Sequence, residues 1–425
     1  MFNNLGHLLE LQMLRECYDS LDGNKAIGID GITKEAYGND LENNLKQLQA
    51  KVRKGSYHPQ ASRIVEIPKA SGGKRPLAIS CLEDKIIQEA VKRILERIFE
   101  PLFMDSSHGF RPKRNCHSAL STLGGHLGKW ECGAVLEIDL QKYFNTIPHE
   151  PLMKMLRSKI SDERFLHLIS KLLKAPVLNP LGVAERNEIG SPQGSILSPV
   201  IANVYLHYVL DTWFDWISTS QFGGSAHMVR YADDVVFTLR TIHCAKHLQT
   251  QLIRRLEEYG IRLNEAKTAF IPSGRREAER HEQLGLRMPT FTFLGFLHVW
   301  GTSINHKTGK RFWRVKRRTC PKRFKNKLVE MKSFIRKHRH EKDLAMRVKR
   351  TTQGYLNYFA VTDNIRRTSQ FLWEVRKLLF KYLNRRSHKR SFEWDHFNAF
   401  LERMEFPKGH ILKDPFFNSR PKVCR

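Results

Sequence analysis

Long apolar runs are missing from this sequence. No stretch approaches the roughly 18 apolar residues that a membrane-spanning helix needs. The opening Met-Phe-Asn-Asn-Leu-Gly-His-Leu-Leu also lacks a basic segment followed by an apolar one. A soluble, cytoplasmic chain with no membrane partner is expected. Cysteine is sparse and scattered, at positions 17, 81, 116, 132, 244, 320 and 424. There is no Cys-x-x-Cys pair and no close Cys/His cluster of zinc-ligand spacing, so free thiols in a reducing compartment are expected. Internal repeats and low-complexity tracts are absent as well.

Acidic charge is in deficit: 43 Asp and Glu stand against 72 Lys and Arg, for a formal charge of +29 and a pI near 10.0. Neutralising phosphates releases condensed counterions, so a nucleic acid is the leading partner. The excess is uneven. Between Gly301 and Arg350 there are 19 Lys or Arg and 3 Asp or Glu, a stretch expected to be helical. Phe312, Trp313, Phe324 and Phe334 interleave with it, as base stacking combined with backbone neutralisation requires. A solvated helix face is the ordinary account of such a run.

The 425 residues exceed one ordinary domain, and 41% hydrophobic residues can fill several cores. Ser80-Cys81-Leu82-Glu83 reads as a capping box opening a helix, with Ile86, Ile87, Ala90, Val91, Ile94, Leu95 and Ile98 at a 3.6 period up to Pro101. Ala134–Leu140 and Met228–Leu239 are short and β-rich, consistent with buried strands. Ala245–Tyr259 reads as a helix ending at Gly260. Pro321 to about Arg390 is helical in pattern. Irregular alternation of strands and helices predicts an α+β fold.

Acidic residues inside apolar strands are costly unless paired or metal-bound. Two such places occur: Asp139 in Val-Leu-Glu-Ile-Asp-Leu, and Asp233-Asp234 in Val-Arg-Tyr-Ala-Asp-Asp-Val-Val-Phe. Joining nucleotides with two divalent ions about 4 Å apart requires carboxylates on rigid strands of this kind. In isolation, Asp-Asp is also what an ordinary hairpin turn contains, and Asp139 is equally a strand-end residue accepting backbone hydrogen bonds.

In order along the chain, these segments resemble the bacterial group II intron reverse transcriptases, from about Lys25 to Val361. Tyr231-Ala232-Asp233-Asp234 is similar to that family's catalytic turn, and Glu137 to Phe144 to its first catalytic strand. Lys25 to Thr33 resembles its N-terminal fingers motif. Ile67-Pro68-Lys69 with Gly73-Lys74-Arg75-Pro76-Leu77 resembles its fingers hairpin. His108 to Asn115 matches the block packing fingers on palm, and Gly190 to Pro199 the Pro-Gln-Gly block, with Ser195 where a second glycine is usual. Gly260 to Lys267 and Phe293-Leu294-Gly295-Phe296 resemble the last palm motifs, and Gly354 to Phe359 the box of the helical X, or maturase, domain.

The resemblance implies a right-hand polymerase: residues 1–135 as N-terminal extension and fingers, 136–300 as palm with part of the fingers at about 150–185, 301–395 as helical thumb, and 396–425 as a short tail without an endonuclease domain. It implies RNA-directed DNA synthesis, with Asp139, Asp233 and Asp234 holding two Mg²⁺ ions, for which Mn²⁺ substitutes. Lys69 and Arg75 would contact the triphosphate, Gln193 the incoming nucleotide, and Phe144 would exclude a ribose 2′-hydroxyl. Lys267 is a weaker candidate than the acids. Arg111, Arg114, Lys316, Arg317 and Arg318 are the implied template and RNA contacts, although Arg111 also suits a structural role. Implied partners are an RNA template, a DNA or RNA primer, deoxynucleotides and a group II intron RNA. A homodimer is left open. Two other readings share most of these features: a related polymerase adopted for repair or phage defence, and a non-catalytic RNA-binding splicing cofactor. The charged segment 271–289 has no assigned role. RNA binding should weaken steeply with added salt, as filter binding across a salt series would measure.

Overall fold

The computed structural model describes residues 1–68, 73–178, 183–305, 308–386 and 392–413. The chain divides into two compact units. The first comprises Met1–Asn115, Glu137–Val235 and Lys246–Ala269; the second comprises Cys116–Leu136, Val236–Ala245 and Phe270–Arg425. Strands among the described residues are β1 (Ser62–Pro68), β2 (Lys74–Ile79), β3 (Ala134–Asp139), β4 (Val177–Leu178), β5 (Ala184–Glu185), β6 (His227–Tyr231), β7 (Asp234–Leu239), β8 (Ala269–Pro272), β9 (Phe291–Phe293), β10 (Phe296–Ile304) and β11 (Arg311–Thr319). They form sheets of order β2-β1-β4-β5, β6-β7-β3-β8 and β11-β10-β9. Helices combined with largely antiparallel sheets give the α+β class that a right-hand polymerase requires. No helix among the described residues is long and apolar enough to cross a membrane.

In the first unit, the helix Leu82–Phe99 buries every apolar position expected from its period. Its start differs from expectation. The N-cap is Cys81, which makes no side-chain cap bond. Ser80 is turned inward instead, its hydroxyl 3.3 Å from Ser62 Oγ and accepting from Gln88 Nε2 at 3.2 Å. A buried hydroxyl with core partners has no reason to reach back to the helix.

Further along, the helix Ser198–Leu206 runs into a π-helical segment, His207–Asp211, and then into the helix Thr212–Phe222. The helix Ile242–Glu258 is followed by Gly260 at φ 69°, in the left-handed region that suits glycine just past a helix end.

The second unit corrects the expectation of a wholly helical basic stretch. Residues 301–319 belong largely to the antiparallel hairpin β10–β11, with Phe296 opposite Thr319 and Ile304 opposite Arg311. Val315, Arg317 and Thr319 are buried while Arg318 is exposed, a period of two that dense charge conceals in the sequence. The helical part begins at Pro321, with helices Pro321–Lys337, Leu344–Phe359 and Ile365–Leu383. Tyr355 stacks on Phe371 with ring centroids 3.7 Å apart. Buried Asn364 donates to Thr319 Oγ1 and Phe359 O and accepts from Thr319 N, all at 2.8 Å. The helix Trp394–Arg403 crosses the expected tail boundary at 396, and residues 414–425 of that tail lie outside the described residues. Segment 271–289 is ordered: it holds the end of β8 and the helix Arg275–Gln283, and Trp300 Nε1 donates to Ser273 Oγ at 3.0 Å.

Asp84, in the first turn of its helix, is 2% exposed and accepts from Tyr57 Oη at 2.6 Å and Gln60 N at 3.1 Å. Burial outweighs these bonds and pushes its carboxyl up from 3.8 to about 6. The fold thus favours the protonated form. That stabilisation is full below about pH 4 and is lost as pH rises to about 6. Asp84→Asn should remove roughly 2–3 kcal/mol of the wild-type decline between pH 4 and pH 7. Urea unfolding of both proteins at the two pH values measures it.

Candidate active site

β6 and β7 are joined by Ala232 and Asp233 alone. Ala232 has φ 58°, a left-handed conformation that a residue with a Cβ adopts only when its surroundings hold it there. Much of that support comes from the segment Ser106–Gly109. His108 N donates to Arg230 O and Arg230 N to Ser106 O, each at 2.8 Å. Gly109 then passes so close beneath the turn that a Cβ on it would lie 2.3 Å from Ala232 N.

Asp139 ends β3, half-buried. Its Oδ2 accepts from Asn264 Nδ2 at 3.0 Å and from Lys267 Nζ at 2.9 Å. The segment bearing these donors is fixed by the backbone, with Asn264 N donating to Asp139 O and Gln141 N to Arg262 O, both at 2.8 Å. Asp233 is half-buried and Asp234 exposed. Burial pushes the Asp233 carboxyl up. Its own backbone N–H opposes this, Asp139 adds to it, and Arg75 and Lys267 pull it down. Asp139, Asp233, Arg75 and Lys267 therefore share one electrostatic neighbourhood within the first unit.

Glu137 belongs to this group and was not anticipated. It precedes Asp139 by two residues, so the strand period puts both on one face. Burial, then Asp234 and Asp139, push its carboxyl up from 4.5 to about 7. The signal was in the sequence, as a second acid in the same apolar run.

The Pro-Gln-Gly block packs against both the β1–β2 hairpin and the helix Tyr143–Thr146. Ala78 N donates to Gln193 O at 2.6 Å, and Ser191 N to Phe144 O at 2.7 Å. Gly194, at φ 113°, leaves no room for a Cβ, which would sit 2.5 Å from Ala78 O. Ser195 has a local role: its hydroxyl donates to Gln88 Oε1 at 3.1 Å and accepts from Leu197 N at 3.3 Å, which tightens the turn. Gln193, Asn145, Ser191, Ile64 and Pro76 line a cavity of about 320 Å³. Tyr143 is 1% exposed and its hydroxyl donates to Ala202 O at 2.7 Å. Neighbouring Phe144 is half-buried, with exposed Phe110 edge-on at 6.4 Å.

The basic candidates separate into two kinds. Arg111 is 7% exposed, donates to both Glu100 carboxylate oxygens and to Met104 O and Ser107 O, and is a structural cation rather than a template contact. Arg317 is fully buried and donates to Leu120 O, so it too is withdrawn from the RNA contacts. Both lie in positions where a guanidinium satisfies buried carbonyls, which composition does not reveal. Arg114 is partly exposed beside Asp105. Lys316 donates to Thr302 O at 2.7 Å, and Arg318 is exposed. Arg75 is exposed on β2, opposite Ile67 of β1, and Lys69 lies outside the described residues.

Among the described residues, no three His, Cys, Asp or Glu side chains gather closely enough to enclose a metal ion unaided. The donor set still suits Mg²⁺, a hard cation bound through one or two carboxylates with water and substrate phosphates completing its shell.

Residues 67–298 match the sequence family described as reverse transcriptase (RNA-dependent DNA polymerase). The chain belongs to that family, and the matched span contains Arg75, Asp139, Phe144, Gln193, Asp233, Asp234 and Lys267. Its relatives include the group II intron-encoded protein LtrA of Lactococcus lactis, 39% identical over 204 residues, covering 47% of this chain and 33% of LtrA. An uncharacterised 91 kDa protein in the cob intron of Schizosaccharomyces pombe is 38% identical over 200 residues, covering 47% of this chain and 24% of that one. Protein YkfC of Escherichia coli is 32% identical over 300 residues, covering 61% of this chain and 77% of YkfC. The chain thus spans about a third or less of the first two relatives and most of the third.

Gly109→Ala should cost about 1–3 kcal/mol, because two backbones meet there and neither is a flexible side chain able to yield. Thermal unfolding against wild type measures the loss.

Proposed function

We propose that this chain is an RNA-directed DNA polymerase encoded by a group II intron, extending a primer on an RNA template. The observation that carries the reading is the common neighbourhood of Asp139, Asp233, Arg75 and Lys267, inside the span matched to reverse transcriptases. In this reading Asp139 and Asp233, with Asp234, hold two divalent ions, Mg²⁺ or Mn²⁺. When bound, these ions supply Lewis-acid activation of the primer hydroxyl and neutralise charge on the leaving pyrophosphate.

The remaining work falls to the chain. Asn264 and Lys267 orient Asp139 through charge-assisted bonds. Arg75, with Lys69 six residues before it in sequence, neutralises the incoming triphosphate. Gln193 lines the nucleotide's cavity, and the Phe144 ring excludes a 2′-hydroxyl, which selects deoxynucleotides. We read the hairpin β1–β2 as part of the fingers, the segments bearing the acids as palm, and the helices from Pro321 as thumb. Exposed Arg318, with partly exposed Lys316 and the helices that follow, offers the surface for duplex and intron RNA, and assistance to splicing belongs to this proposal.

Primer extension on an RNA template with deoxynucleotides and Mg²⁺ tests it. Asp233→Ala should lower synthesis by more than about 100-fold, beyond what losing an outer partner of a metal site costs. No RNA-templated synthesis by the wild-type protein defeats the enzymatic reading. Undiminished synthesis by the variant defeats the site assignment.

A further inference from the structure

One residue before Tyr231, the side chain of Arg230 is fully buried, a costly place for a cation unless something is gained. Its guanidinium makes four bonds. Nε donates to Asp211 Oδ1 at 2.8 Å and Nη2 to Asp211 Oδ2 at 2.5 Å. Nη1 donates to Asn203 Oδ1 at 3.0 Å and to Ala232 O at 3.2 Å. Asn203 Nδ2 in turn donates to Gly109 O at 2.8 Å. The carbonyl of left-handed Ala232 and that of Gly109, the glycine pressed beneath it, are thus tied into one network.

The partners come from the helix after the Pro-Gln-Gly block. In a regular α-helix, Asn203 and Asp211, eight residues apart, would lie about 80° from each other around the axis. Asp211 closes the π segment His207–Asp211, and a π turn takes about one residue more than an α turn, which brings the two within about 20°. The π segment therefore accounts for both side chains meeting one guanidinium.

We propose that Arg230 is a positioning residue: anchored by Asp211 and Asn203, it holds the Ala232–Asp233 turn in the conformation that presents Asp233. This rests on the reading of Asp233 as a site carboxylate. A buried ion pair adds little net stability over an apolar pair of similar size, so holding a geometry is the better account of this one. Lysine keeps the charge, but its point-like ammonium cannot reproduce a planar fork serving a carboxylate, an amide and a carbonyl at once.

Two measurements on Arg230→Lys test this. In primer extension, kcat should fall roughly 10- to 100-fold, as for outer partners of metal sites, with a much smaller change in KM for deoxynucleotide. In metal-free protein, amide hydrogen exchange should quicken at 231–234 and not across the rest of the unit. Asn203→Ala should give the same signature more weakly, and it decides the matter if Arg230→Lys does not fold. Leu48→Ala, in the core of the same unit, should lower the melting temperature while leaving kcat unchanged below it. A folded variant with wild-type kcat and wild-type exchange at the turn overturns the proposal. So does a kcat loss in Leu48→Ala as large as in Arg230→Lys. Should wild-type protein fail to extend primers, the exchange measurement still decides whether Arg230 holds the turn.

Discussion

Carboxylates crowded into a half-buried place repel one another, and the surroundings of Asp139 and Asp233 are arranged around that repulsion. Asp233 is made a weaker acid by burial and by Asp139, and Glu137 is pushed to about 7 by burial and its acidic neighbours. Lys267 and Asn264 hold one oxygen of Asp139, and Arg75 bears on Asp233 from strand β2. Each of these offsets part of the repulsion without removing it. What is left is a place where added positive charge is favourable, the condition a divalent ion and a basic phosphate clamp both exploit.

Holding such charges requires rigid backbone, and here the rigidity comes from close main-chain approaches. Gly109 lies under the turn and Gly194 against Ala78, each where a Cβ would meet another backbone. The turn is therefore supported from below by main chain and from the side by the Arg230 guanidinium.

Much of this was legible in the sequence, for identifiable reasons. Strongly apolar strands with an acid inside them stand out, and β3, β6 and β7 appear where that pattern indicated. The helix Leu82–Phe99 follows its period because one face is fully buried. The hairpin β10–β11 was hidden because its inward positions include Arg317, so charge obscured the alternation. Arg111 and Arg317 were taken for RNA contacts because a buried guanidinium and an exposed one are written with the same letter. Glu137 was readable, but its weight depends on the nearby charge of Asp234, which only the adjacency of β3 and β7 in the sheet reveals. The π segment has no sequence signal, since one additional residue in a helical turn leaves composition unchanged.

These buried cations also change the meaning of the net charge. Counterion release counts phosphates actually neutralised by exposed cations, not formal charge. Arg111, Arg230 and Arg317 contribute to the +29, yet each is engaged inside the protein with a carboxylate, an amide or a carbonyl. Others, such as Arg314 with Asp363 in a bidentate pair at 2.6 Å, are already balanced by a fixed acid. Positive charge free of such partners is correspondingly scarcer than the count of Lys and Arg suggests, and Arg75 and Arg318 are among the cations that are exposed. A salt dependence of RNA binding therefore reports how many exposed cations meet phosphate, a number that the formal net charge, a difference of cations and acids, does not give.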